Sequence, residues 1–150
     1  IVALVDDMAA SLGMWMIAGC DEVYAAHPHA ELGSIGSYAS VYDFRGYLEK
    51  EGIKLHEIYA PQSTDKNRDY KEALEGNYDL ITADLKIRTD EFIAYIKSER
   101  PQSSAHESEW NTGKLFYAKE AKRIGLIDGV QSLEKTILKA SWLAKNNKKK

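Results

Sequence analysis

The sequence predicts an α/β protein of layered parallel strands and helices, and three observations carry that reading. "IVALV" at its start is a short, unbroken apolar run rich in β-branched residues, the pattern of a strand covered on both faces. Strand-like and helix-like runs then alternate along the chain, the order that pairs strands in parallel through helical crossovers. At 150 residues, with 44% hydrophobic and 29% charged content, the chain can bury a sizeable core as a single domain spanning 1–150.

The elements follow in order. Ala9 to Ala18 reads as a helix entered through small residues, and "DEVYAAHP" as a short strand stopped by Pro28. "ELGSIGSYAS", with Gly33 and Gly36, reads as a tight loop. Val41, Phe44 and Leu48 have helical spacing, and Gly52 ends that helix near Glu51. "IKLHEIYA" alternates as a strand, and "PQSTDKNRD" is a polar loop. Leu80 to Lys97 is the longest helix, with Ile81, Leu85, Phe92 and Ile96 on one stripe and Pro101 closing it. "SSAHESEWNTG" reads as a loop and "KLFYA" as a brief strand. "AKEAKRIGLIDGV" reads as a short helix, Gly125 and a last strand. Ser132 caps a final helix running to about Lys145, whose stripe of Leu133, Ile137, Ala140 and Leu143, beside Trp142, is expected in the core.

Composition excludes several function classes. A net charge of −3 gives no electrostatic footprint for nucleic acid or an anionic membrane. The basic tail "KNNKKK" reads as a frayed end. Cys20 is the only cysteine, so neither an internal disulfide nor a cysteine-based zinc site can form. No signal peptide and no membrane-length apolar run is present in the sequence, which predicts a cytoplasmic protein. The chain opens inside a strand pattern, so upstream strands completing the domain are expected.

Ser11 is the first candidate for chemistry. It stands in "VDDMAASLGMWMIAG", where a strand feeds a helix through Ala9, Ala10 and Gly13. A serine there lies beside the unpaired N–H groups of a helix start, which can hold a developing oxyanion. The plain alternative is a capping serine. A nucleophilic serine needs a base. His27, His29, His56 and His106 lack the spacing of a metal site and read as surface or structural histidines. Lys66 and Lys71, beyond "HEIYA", would serve only if desolvation kept one of them neutral. By composition alone, neither differs from an exposed loop lysine. Gly33-Ser34-Ile35-Gly36 suits a sharp turn against a ligand or a neighbouring helix.

Four segments in order resemble the signal peptide peptidase A type of serine–lysine peptidases, whose fold is related to Clp protease and crotonase. They are "VDDMAASLGMWMIAGCDEVYA", "HPHAELGSIGSY", "LEKEGIKLHEIYAPQSTDKN" and "GKLFYAKEAKRIGLIDGV". The resemblance covers roughly Ile1 to Ile137 and implies the C-terminal part of that domain. It makes Ser11 the nucleophile and Lys66 the general base, with Lys71 as fallback. Ser34, following Gly33, would hydrogen-bond the lysine, and the Leu12 amide would be one oxyanion donor. It implies peptide-bond hydrolysis through an acyl-enzyme, with no metal or cofactor, on peptide or protein substrates, in a homo-oligomer. Two positions depart from the pattern. Leu12 replaces a usual glycine, and the lysine loop is longer and more polar than usual. The family's second oxyanion donor lies on upstream strands. Three other readings stay open: a non-catalytic, oligomer-forming member, favoured by an exposed Lys66; a phage-type protease processing capsid or scaffold proteins; and a crotonase-like acyl-CoA enzyme.

Overall fold

Val2–Val5 forms β1, and its β-branched residues pair in parallel with β3, Glu22–Ala25, from Val2 against Glu22 to Val5 against Ala25. This computed structural model describes residues 1–146; most of the "KNNKKK" tail, residues 147–150, lies outside them. The chain divides into two compact units, one of Ile1–Ser37 with the residues from Arg88 onward, the other of Tyr38–Ile87.

In the first unit β3 also pairs in parallel with β6, Gly129–Val130, so β3 is the centre of one sheet. A second sheet has β4, Glu31–Gly33, at its centre. On one side lies β2, Met8–Ala10, in parallel; on the other lies β5, Leu115–Tyr117, antiparallel. The expected mixture of strands and helices is present, with parallel pairing in three of the four ladders among the described residues. Three local expectations change. Met8–Ala10 is strand, and helix α1 begins only at Leu12 and runs to Ala18. Glu31–Gly33 is strand rather than loop. The cause in both is the β2–β4 ladder, a tertiary pairing that overrides local propensity. The loop expected over 103–113 is largely helical, with a 3₁₀ turn over Pro101–His106 and α5 over Glu107–Trp110. Trp110 explains it: the ring is fully buried and its indole N–H donates to the Ser103 carbonyl at 2.9 Å.

The core joins Val5, Met14, Val23, Leu32, Ile35, Phe92, Ile96, Trp110 and Phe116 with Ile124, Leu126 and Ile127. Phe92 and Ile96 come from α4, Asp79–Glu99, the expected long helix. Ile124, Leu126 and Ile127 follow α6, Ala118–Arg123. Between them Gly125 has φ 79°, and a Cβ there would lie 2.8 Å from the Gln102 carbonyl, so glycine is required. One ion pair crosses this region: Arg100, 3% exposed, donates to Asp128 at 2.5 Å, and the same carboxylate oxygen accepts the Val23 amide at 2.7 Å. α7, Leu133–Asn146, corrects the core stripe expected of it. Leu133, Ile137 and Trp142 are exposed, while Thr136 is buried and its hydroxyl bonds the Ser132 carbonyl at 3.0 Å. The inward face is therefore the one carrying Thr136, with Ala140 and Leu143 half-buried on it.

The second unit holds α2, Arg45–Lys50, α3, Arg68–Leu74, and the N-terminal part of α4; the unit boundary falls inside α4. α2 is shorter than expected, and α3 starts within the expected polar loop. The strand expected over 53–60 is not formed: no strand pairs with it among the described residues, and Ile53, Leu55 and Ile58 are exposed. An alternating sequence without a partner strand gains nothing from its pattern. Ala73 is the one buried residue of this unit among those described. Its helices are tied by polar contacts instead. Arg45 bonds Asp43 at 2.8 Å, the Leu74 carbonyl at 2.6 Å and Glu75 at 2.5 Å.

Candidate active site

Ser11 sits between β2 and α1, where the chain turns from strand into helix. It holds φ 51° and ψ −117°, a conformation that L-residues rarely adopt. Both backbone groups explain how it is held. The Ser11 amide donates to the Gly33 carbonyl at 2.9 Å, extending the β2–β4 pairing, and its own carbonyl accepts the Trp15 amide at 3.1 Å, closing the first turn of α1. The hydroxyl makes no capping bond to the helix, so the capping role is not the one it plays here. The side chain is exposed. Leu12, next in the chain, is 68% exposed. Its amide begins the helix and lies outside the intrahelical ladder. Gly13 is not needed for close packing: an added Cβ would meet only the Ala9 Cβ, at 3.9 Å.

Gly33 and Ser34 end β4 beside this turn. Gly33 has φ 117°, and a Cβ on it would stand 2.8 Å from the Lys114 carbonyl. Ser34 follows at φ 53° and donates its amide to that carbonyl at 2.8 Å. Two consecutive left-handed residues swing the chain away from the sheet, and Ser34 is left half-buried. The ladder and the Ser11–Gly33 bond thus bring the backbones of Ser11, Gly33 and Ser34 together.

A cavity of about 250 Å³ adjoins Ser11, lined by Leu12, Trp15, Arg88, Glu91 and Phe92 among others. Trp15 stacks on Tyr95 at 4.8 Å and tilts against Phe92 at 4.9 Å. Arg88, Glu91, Phe92 and Tyr95 are successive positions of one α4 face. The sequence placed Phe92 on the buried stripe but gave no signal for the cavity, because its other wall comes from α1.

Lys66 belongs to the second unit. It is exposed, on a turn before α3, and lines a local cavity of about 440 Å³ with Glu57, Tyr59, Ser63 and Asn67. Lys71, on α3, is also exposed and sets its Nζ 3.7 Å from the centre of the Tyr59 ring. Among the described residues no three His, Cys, Asp or Glu side chains are grouped as metal ligands. His27 and His29 are 6.4 Å apart, His29 meets Tyr117 edge-on, and His106 bonds Glu109 at 2.7 Å. Among the same residues no helix is long and apolar enough to cross a membrane.

An exposed serine on a strained strand-to-helix turn, next to a cavity, is an arrangement suited to nucleophilic attack. A protein of Methanocaldococcus jannaschii, named as a candidate protease, is 24% identical over 144 residues, which are 96% of this chain and 46% of its own length. The chain thus spans about half the length of that relative. The model of peptidase family S49 matches residues 1–147, taking in every element described above. By that match along nearly its whole length, the chain belongs to peptidase family S49.

Proposed function

We propose that this chain carries the nucleophile and base of a serine peptidase of Clp protease/crotonase-like fold, with Ser11 and Lys66 as its dyad. The observation that carries the proposal is Ser11 itself, exposed, uncapped and held at positive φ beside a cavity. Such strain marks positions where the surroundings fix a conformation the residue would not choose. Neutral Lys66 takes the Ser11 proton as Oγ attacks the scissile carbonyl. The Leu12 amide holds the oxyanion, and Ser34 steers the lysine. As the C–N bond breaks, the lysine passes its proton to the leaving amine. Water then attacks the ester, giving a proton to the lysine; as the ester C–O bond breaks, the lysine returns that proton to Ser11 Oγ, releasing the acid and restoring the free hydroxyl. Peptide or protein substrates, a homo-oligomeric assembly and one domain formed by both units complete the proposal.

The decisive experiment is labelling with a fluorophosphonate probe followed by peptide mapping. The adduct is expected on Ser11 and is expected to vanish in Lys66→Ala. An adduct that survives Lys66→Ala but is lost in Lys71→Ala moves the base to Lys71. A second reading has one observation in its favour: Lys66 is exposed, and a solvated lysine keeps its proton. On that reading the chain is a non-catalytic, assembly-forming member of the family. No adduct from neutral to mildly alkaline pH would establish it over the first.

A further inference from the structure

The cavity beside Ser11 combines two aromatic walls with an unpaired acid. Trp15 and Phe92 line it, and so do Arg88 and Glu91 from the same α4 face as Phe92. Arg88 already takes part in an interaction of its own. Glu91 is exposed and pairs with no cation among the described residues. At about 250 Å³ the space is smaller than the roughly 300–1,000 Å³ of small-molecule pockets, so it suits one side chain of a longer chain. Lysine and arginine fit this pattern of surfaces. Their methylene stems lie on apolar walls while the charged head reaches outward. Aromatic faces attract a cation, and a carboxylate accepts its charge-assisted hydrogen bonds.

We propose that Glu91 is a specificity residue, selecting a lysine or arginine side chain of the peptide substrate that lies against Trp15 and Phe92. This rests on the peptidase reading for the identity of the ligand, but the charge preference is separately measurable. The competing outcome is a purely apolar subsite, with Leu12, Trp15 and Phe92 setting the preference and Glu91 a bystander.

The test separates binding from chemistry. Ser11→Ala removes the nucleophile, and calorimetric titration then compares three peptides that differ at one position: lysine, its uncharged counterpart norleucine, and glutamate. The lysine peptide is expected to bind about fivefold tighter than the norleucine peptide, the upper range for an exposed ion pair. That gap should close in the added variant Glu91→Gln, shrink at high salt, and turn towards glutamate in Glu91→Lys. Norleucine binding as tightly as lysine, lysine preference persisting in Glu91→Gln, or no binding of any of the three peptides would overturn the subsite. A preserved lysine preference together with no cleavage of the lysine peptide by the unaltered chain would overturn the peptidase reading alone.

Discussion

At Ser11 the backbone adopts φ 51° and ψ −117°, and a serine held there costs on the order of 1–3 kcal/mol relative to a relaxed residue. Glycine adopts the same angles without penalty. Ser11→Gly is therefore expected to be more stable than Ser11→Ala by about 1 kcal/mol or more, with both losing the fluorophosphonate adduct. Paired urea titrations of the two variants check this, and equal stabilities would remove strain from the account. Gly33 gives the reverse case. Gly33→Ala must meet the Lys114 carbonyl at 2.8 Å and hold φ 117°, so a loss of about 3 kcal/mol is expected in the same measurement. The sequence pointed to Ser11 through its frame of alanines and a glycine. It could not show the strain, which comes from a hydrogen bond to Gly33 across the β2–β4 pairing. Lys66 enters the proposal by resemblance alone, since nothing in its neighbours distinguishes it from other exposed lysines.

Among elements, those with their own periodic signal were the readable ones. β1, α4 and α6 are close to where the apolar pattern put them. Elements defined by a partner were not. The "IKLHEIYA" alternation found no neighbouring strand, Met8–Ala10 found one, and α7 turned Thr136 rather than Ile137 inward. The elements also differ in what secures them. The C-terminal end of α4 is tied to the chain before β6 by buried Arg100 and its partner Asp128. Asp128→Ala leaves that guanidinium buried and uncompensated, and about 3 kcal/mol should be lost on chemical denaturation. α2 and α3 are held instead by Arg45 and its exposed acids. Hydrogen bonds from Arg45 hold the Asp43 carboxyl below its usual range. Its contribution is thus present above the unfolded carboxyl value and lost as pH falls through that value towards the lower, folded one. Hydrogen exchange over 38–87 should rise on acidification below about pH 4 while the core of the first unit stays protected. Equal protection of both segments under acid would refute the polar account of the second unit.

For the whole molecule, composition and element order led to a mixed α/β architecture, but not to its division at Ser37 and Arg88. No composition shift marks those positions, and the second lies inside a continuous helix. The one-domain proposal has a calorimetric consequence: a single transition whose van't Hoff and calorimetric enthalpies agree. Two separable transitions would mean that the units fold independently. The three tryptophans make such experiments readable without any label. Trp110 is wholly enclosed, Trp15 borders the cavity beside Ser11, and Trp142 stands 56% exposed on α7. Their intrinsic emission therefore originates in three dissimilar surroundings. Trp110 should emit furthest to the blue and resist iodide until the chain unfolds. Trp142 should emit to the red and be quenched at once, unless another surface covers α7. Trp15 should change when a peptide enters. Single-tryptophan variants would then resolve unfolding, assembly and substrate occupancy as separate optical channels of one chain.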